Sequence, residues 1–383
     1  MIKCSQPFLM PGLAFRMDTE IEALTLIVIG SSRKSRMVSA LESIDGVTLE
    51  TSVWEGRDGR RTLRELWRLR KSITEHDNPA ILTDSMGGQA FQAGTIAHYY
   101  DIPFIIRARG GMWKEYRDNK HHLNKSQRFV YSFLKERLRN ANLRLADAVL
   151  PVSYFHKLQI IEELDLSYDD LYVVYEPVNY AQFSKPHPKN TTSHFGLNPN
   201  AKVLLTITTF GYKNKYEGIL DYIETIIQFL SENPDWVFVA CGPGGGKSRV
   251  EQKFKNHADD DIIDRIAVLG YQKNIANLYN SSDIYVHLSY RDSMGLTVLE
   301  AQAAALPVIV NHGGGPIELV RQGGKVNFIA NSEEDLLSSL STLASNEKLR
   351  HSIGEINQKW VQNKFSFESI GEMFSSAFNG MDC

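Results

Sequence analysis

Two α/β domains, each a parallel sheet wrapped in helices and facing the other across a cleft, are what this sequence predicts. Three observations carry that expectation: a length of 383 residues, a hydrophobic content of 43%, and short apolar runs that alternate with amphipathic stretches along the chain. The chain is too long for one ordinary domain and apolar enough to bury two cores. Strand-length apolar runs separated by helical periodicity mark doubly wound parallel sheets, because each strand is buried on both faces while each helix turns one stripe inward. No internal repeat or low-complexity tract interrupts the pattern.

In the first half the strand candidates are residues 24–30, 47–53, 80–82, 103–106, 148–151 and 171–175, with helical patterns at 63–74, 89–99, 127–140 and 154–163. A polar stretch rich in Pro, Asn, Ser and Thr, from Glu176 to Lys202, breaks the rhythm and reads as an interdomain linker. A second strand series follows at 203–208, 236–241, 266–269, 284–288, 307–310 and, more weakly, 325–329. The last helical stretch, 367–378, is amphipathic and is expected to pack back across the domain junction. The expected division is an N-terminal Rossmann-like unit over 1–180, a C-terminal one over 181–365, and a returning helix over 366–383. Open α/β sheets bind ligands at the C-terminal ends of their strands, so both walls of the cleft are candidate site surfaces.

Composition narrows the function classes. The three cysteines, Cys4, Cys241 and Cys383, are far apart and form no metal-ligand spacing, which suggests a reducing compartment and no structural zinc. The run Leu24 to Ile29 has strand length, well short of the roughly eighteen residues of a membrane span. Residues 1–22 have no basic start followed by a long apolar core, so no secretory signal is expected, and this segment is expected to be loosely ordered. The expected location is cytoplasmic. The net charge of −3 hides an asymmetry: from Arg57 to Arg144 there are 18 Lys and Arg against 9 Asp and Glu. Two readings stand: a solvated helix face, or attraction to an anionic surface, either phospholipid headgroups at the inner membrane face or a lipid-phosphate acceptor. In the second reading Leu63, Leu66, Trp67, Leu69 and Ile73 form a buried stripe with cations opposite and a snorkelling Arg70. A segment from Trp113 to Arg139 adds more cations interleaved with aromatics.

The most informative segment runs from Arg291 to Val310. It follows a strand, turns through a polar loop and starts a helix near Gly295, where free backbone N–H groups and the helix dipole favour an anion. Glu300 lies about a turn and a half into that helix, too deep to cap it, and its carboxylate can accept two hydrogen bonds from a vicinal diol such as a ribose.

Here the sequence resembles the family-4 glycosyltransferases, whose retaining members carry the motif E-S-F-G-L-x-x-L-E-A-x-A-x-G-x-P-V. The matching positions are Ser293, Gly295, Leu296, Leu299, Glu300, Ala301, Ala303, Pro307 and Val308. Ala146 to Ser153, Val174 to Phe183, and Val268 through Asp283 resemble further segments of the same family. The resemblance implies a GT-B fold, with a nucleotide-sugar donor on the C-terminal domain and a glycan or lipid-linked acceptor on the N-terminal one. It further implies that Glu300 binds the donor ribose and that Asp292, one methylene shorter than the usual Glu, sits by the transferred sugar. Ser293, Met294, Gly295, Leu296 and Thr297 would offer backbone donors to the sugar or diphosphate.

Where the family usually places an Arg and then a Lys on the donor phosphates, the stretch Thr206 to Gly218 has no Arg. A leaving diphosphate needs positive charge. Lys215 is the expected source, with Lys213 second; two solvated loop lysines are the alternative. In the N-terminal half, Arg107 and Arg109 end a strand and face the cleft, either binding an anion or forming a structural ion pair. Arg109 stands near the position of a family His, so no general base is named, which a retaining enzyme tolerates because the departing phosphate oxygen can take the acceptor's proton. Gly30, with Arg33 and Lys34 after it, is a second N-terminal contact.

The turn from Cys241 to Ser248 misses a G-x-x-x-x-G-K-S nucleotide loop by one residue, and the family's own turn explains Gly242 and Gly244 as donor contacts. Gly270, Tyr271 and Gln272 are expected near the base. Asp259 to Asp261 contains a D-x-D that precedes a strand in a polar loop instead of ending one, so no catalytic metal is expected there; no cofactor and no nucleic-acid partner are expected either. The reading is a retaining hexosyltransferase. Alternatives are a non-catalytic sugar-nucleotide-binding protein derived from a transferase, or an epimerase or phosphorylase on the same fold.

Overall fold

The computed structural model describes residues 24–30, 35–52, 59–110, 113, 124–130, 135–184, 195–321 and 328–381. The first strand series is β1 (Leu24–Ile29), β2 (Val47–Ser52), β3 (Pro79–Thr83), β4 (Phe104–Ala108) and β5 (Ala148–Pro151). The second is β6 (Lys202–Ile207), β7 (Trp236–Cys241), β8 (Ile266–Leu269), β9 (Ile284–His287), β10 (Val308–Asn311) and β11 (Phe328–Ala330). Among the described residues they form two sheets, ordered β2-β1-β3-β4-β5 and β11-β10-β9-β6-β7-β8. Every pairing is parallel.

Burial on both faces explains why strands such as β1, β4, β6 and β7 read as nearly continuous apolar runs. Leu26 and Val28 of β1 turn to one side, where Met37 and Val38 of the helix Arg36–Leu41 and Phe374 of the helix Phe367–Asn379 pack. Ile27 and Ile29 turn to the other side, onto Leu69 and Ile73 of the helix Gly59–Glu75. The helix Phe367–Asn379 lies against Arg36–Leu41, with the Ser43 hydroxyl donating to the Phe367 carbonyl at 3.3 Å and the Tyr172 hydroxyl donating to that of Gly380 at 2.6 Å.

Several expectations are corrected. Residues 171–175 make no strand: Tyr172 and Val174 donate to the carbonyls of Val149 and Pro151, but only an isolated bridge joins Leu171 to Val149. Thereafter Tyr175 and Val178 leave the sheet and join the core cluster that spans both domains. Of the helix expected over 127–140, the described parts are helical, in Lys125–Val130 and from residue 135 into Arg137–Leu145, and residues 131–134 lie outside the described residues. Trp67 is 62% exposed instead of buried, since the inward stripe of its helix is Leu66, Leu69 and Ile73 and the neighbouring position points some 100° away. Arg70 is exposed as well and needs no snorkelling. Trp113 is buried, with the Arg139 guanidinium over its ring at 4.7 Å. Residues 1–23, 31–34 and 322–327, with the expected contacts Arg33 and Lys34, lie outside the described residues, as does the Leu63 side chain.

The strand orders decide where a ligand can sit. In the second sheet the connections run outward in opposite directions from β6 and β9, and in the first from β1 and β3. A crevice opens beyond the carboxyl ends of such neighbouring strands. The loops after β6 and β9 therefore form one wall of the site, and those after β1 and β3 form the other.

Candidate active site

The loop after β9 carries Asp292, and the helix Lys213–Asp221, which follows the β6 loop, carries Lys215. The Lys215 ammonium lies 3.4 Å from Asp292 Oδ1 and donates to the Arg291 carbonyl at 3.3 Å. On the other side, Nε2 of His287, at the end of β9, lies 3.5 Å from Asp292 Oδ2. That separation is an electrostatic contact at the limit of hydrogen-bond length. The second ring nitrogen of His287 lies 3.3 Å from the Thr297 hydroxyl. Burial works to raise the Asp292 carboxyl, but Lys215 and His287 outweigh it and hold the group well below the usual carboxylate range, so it is ionised. Gly315 donates its N–H to the Asp292 carbonyl at 2.8 Å, which fixes the loop.

Gly295 precedes the helix Leu296–Ala303 with φ 86°, and a Cβ there would meet Pro316 Cγ at 2.7 Å; both facts favour glycine at this start. Glu300, 6% exposed, is in that helix. It accepts from the Tyr279 hydroxyl at 3.0 Å and from the Arg36 guanidinium, across the cleft, at 2.8 Å. Burial and the adjacent Glu300 carboxylate both push the Tyr279 phenol well up, so it is a permanent donor. The Ser293 hydroxyl is buried and has no hydrogen bond among the described residues.

The turn after β7 is knitted to the β6 loop. Phe210 donates its N–H to Pro243 O at 2.7 Å and Gly246 to Phe210 O at 2.9 Å. Gly242 has φ 150°, and a Cβ on it would fall 1.6 Å from the Thr208 carbonyl oxygen, so the near-miss of a nucleotide loop is explained by close backbone approach. Gly270 accepts from Gly242 N–H at 3.3 Å, which brings the Gly270, Tyr271 and Gln272 loop beside Gly242 and Gly244, with Tyr271 73% exposed.

On the opposite wall Arg109 reaches Asp84 at 3.1 Å and Glu176 at 3.0 Å. Arg107 is completely buried, pairs with Glu176 at 3.1 Å, donates to the Tyr175 carbonyl at 3.0 Å, and is covered by the Phe374 ring. Arg107 is therefore a buried cation paired with Glu176, whereas Arg109 is 41% exposed and lies at the cleft. Burial would raise the Glu176 carboxyl, but the two arginines hold it down. Behind them the buried His156 ring faces the carbonyls of Ala108 and Gly110 without a well-formed hydrogen bond, and burial lowers its pKa to about 4.

The two walls touch. The Ser153 hydroxyl donates to the Ser293 carbonyl. Glu318 accepts from Tyr154 N–H at 3.0 Å and Tyr175 Oη–H at 2.9 Å. The Glu176 N–H donates to the Met294 sulfur at 3.2 Å, so the Met294 side chain is packed between the domains instead of lining open space.

The structure thus brings Asp292, Glu300, Lys215, Ser293, Gly295, Leu296 and Thr297 into one loop-and-helix cluster. Lys213 is left out of it, tied to Glu217 at 2.9 Å and 45% exposed. Asp259 stands at the N-terminal boundary of a short surface helix without a side-chain capping bond, and among the described residues no group of three or more His, Cys, Asp or Glu could hold a metal ion. Sequence reading missed His287, Tyr279 and Arg36. A polar residue ending an apolar strand was a signal for His287; the other two gave none, being an aromatic at a helical core position and one of many surface arginines.

The chain is similar to known proteins in sequence and in fold. The family glycosyl transferases group 1 matches residues 190–360. The N-acetyl-alpha-D-glucosaminyl L-malate synthase of Bacillus anthracis is 26% identical over 241 residues, 61% of this chain and 59% of that protein. The lipopolysaccharide core biosynthesis mannosyltransferase LpsB of Rhizobium meliloti is 27% identical over 176 residues, 45% of this chain and 49% of its own length. The chain thus spans about half the length of these relatives. Anabaena Alr3699/HepE, solved in complex with UDP-glucose, superposes with a TM-score of 0.69 at 14% identity over 93% of this chain and 99% of that one, a likeness of fold. The two parallel-sheet domains thus share the fold of GT-B glycosyltransferases, and residues 190–360, most of the second domain, match the glycosyl transferases group 1.

Proposed function

We propose that this protein transfers a sugar from a nucleoside-diphosphate donor, with retention at the anomeric carbon, to a glycan or lipid-linked acceptor. One observation carries the reading: an ionised Asp292 held by Lys215 and His287 stands at a helix start that also bears the buried Glu300. Glu300 binds the ribose diol. Lys215 and the N–H groups of residues 293–297 receive the diphosphate, and Asp292 holds the sugar hydroxyls. The Gly242 and Gly244 turn lies beside them, and the Gly270 to Gln272 loop lies at the base. The anomeric C–O bond breaks with its electrons on the diphosphate oxygen. The acceptor oxygen then bonds to that carbon on the same face and passes its proton to the departing oxygen. Closure of the walls excludes water and limits hydrolysis.

A thermal-shift panel of UDP, GDP, ADP and dTDP, each with a matching nucleotide sugar, tests the reading, since a selective ligand stabilises by RT ln(1 + [L]/Kd). A shift with one base and turnover of its sugar are expected. Absence of any shift sinks the reading in favour of a protein without a donor site.

The same reading places the protein at the anionic face of a membrane. Trp67, Tyr99 and Phe129 are 62%, 81% and 63% exposed, and Arg68, Arg70, Lys71, Lys125 and Arg137 are exposed on the helices that carry or adjoin them. Exposed aromatics flanked by cations suit headgroups. Co-sedimentation with anionic vesicles and not neutral ones is expected at low salt. It should fade near 1 M salt, where the Debye length is about 3 Å; equal recovery in the supernatant with both vesicle types overturns the proposal. No described helix is long and apolar enough to cross a membrane.

A further inference from the structure

We infer that Arg36 supplies, from the N-terminal domain, a guanidinium contact to the donor's diphosphate, so that the donor itself binds the two walls together. The inference rests on the donor reading above and deepens it.

Four observations lead there. Residues 206–218, which include the loop nearest the expected phosphates, contain no Arg. Two lysines on that wall are engaged elsewhere, Lys213 with Glu217 at 2.9 Å and Lys247 with Glu251 at 2.5 Å. Arg36 begins the helix Arg36–Leu41, which follows β1 and so stands at the ligand-binding edge of the first sheet. Its Nη2 reaches Glu300 across the cleft at 2.8 Å, yet its Nη1 is buried with no hydrogen-bond partner.

A buried N–H without an acceptor costs free energy unless something fills the place. A ribose on Glu300 brings its own phosphate ester oxygens next to this guanidinium, because only the sugar's C4–C5 arm separates diol from diphosphate. Arg presents five donors in a planar fork and can hold the Glu300 side and a phosphate together, which Lys cannot. The cation then sits where leaving-group charge develops, and it comes from the wall opposite Lys215. Donor affinity and closure are thereby one event: an open cleft offers the diphosphate less positive charge than a closed one.

A competing arrangement uses the same ion pair in the opposite sense, with Arg36 as a latch that occupies Glu300 and must be displaced. The two separate by sign. Calorimetric titration of the wild type, Arg36→Ala and Arg36→Lys uses whichever of UDP, GDP, ADP and dTDP binds the wild type most tightly, together with its free nucleoside. Arg36→Ala is expected to weaken diphosphate binding about ten- to a hundred-fold. Nucleoside binding should change by less than about three-fold, with Arg36→Lys recovering only part of the loss. Equal or tighter diphosphate binding by Arg36→Ala overturns the inference, as does an equal loss for nucleoside and diphosphate, which would mark a general disturbance of Glu300. If the wild type binds none of the four, the donor reading falls. If it binds one and only the Arg36 variants are indifferent, that reading stands and Arg36 is excluded.

Discussion

Glu300→Gln is expected to abolish most transfer while the protein stays folded. Both carboxylate oxygens are engaged, one by the Tyr279 hydroxyl and one by Arg36, and the group is 6% exposed. An amide keeps one acceptor oxygen: its NH2 either faces the Arg36 guanidinium, which can only donate, or faces the Tyr279 hydroxyl, which can accept only by redirecting its proton to the Thr297 carbonyl at 3.2 Å. On the proposed reading a charged, two-point contact to the ribose is replaced by a neutral one-point contact, a loss of about 1.5–3 kcal/mol. That corresponds to roughly ten- to a hundred-fold in donor affinity. Steady-state kinetics on the nucleotide sugar identified by the thermal-shift panel is the check. Unchanged kcat/KM in a folded Glu300→Gln variant would remove the ribose assignment.

Lys215→Ala is expected to act on rate more than on binding. The ammonium stands 3.4 Å from Asp292 and is 14% exposed, so it acts in a site from which water is partly excluded. Charge grows on the diphosphate as the glycosidic bond breaks, and an interaction stronger in that state than in the ground state raises kcat. Loss of one such group costs about a hundred- to a thousand-fold in kcat, while the donor KM is expected to move only a few-fold. Removing the cation also takes away one of the two charged partners described for Asp292, so on the proposed reading the carboxylate is held less firmly against the sugar. Lys213→Ala is the control, since Lys213 is spent on Glu217 at the surface. A dead Lys213→Ala beside an active Lys215→Ala would reverse the assignment.

How much of this could be read beforehand differs by level. The strands Ala148–Pro151, Trp236–Cys241 and Ile266–Leu269 are legible to the residue, because each is a short apolar run bounded by polar or turn-forming residues and buried on both faces. The helix start at Gly295 is legible too, since a glycine after a polar loop and before Leu296, Val298 and Leu299 has few other uses. Residues 171–175 mislead for a physical reason: their apolar character serves the seam between domains, where Tyr175 packs on Phe365 at 5.5 Å, and periodicity cannot tell a seam from a sheet. Trp67 misleads differently, because aromatic character predicts burial and the helix phase puts that position in solvent.

Local patterning reports one property of each residue, whether it is driven out of water, and from this follow the α/β class, the order of elements and the segment that bears Asp292 and Glu300. Which residues meet is a property of pairs. Arg36 and Glu300 are separated by 264 positions, and Arg109 meets both Asp84 and Glu176. Such meetings depend on strand order in two sheets and on how one sheet closes over the other, quantities to which burial tendency along the chain is blind. The tertiary structure therefore decided that His287 steadies Asp292, that Lys213 stays outside, that Arg107 is buried and paired with Glu176, and that a guanidinium from the first domain reaches the second. In each case the reason is that charges and buried hydrogen-bonding groups must find partners, and only the assembled fold sets which partners are within reach.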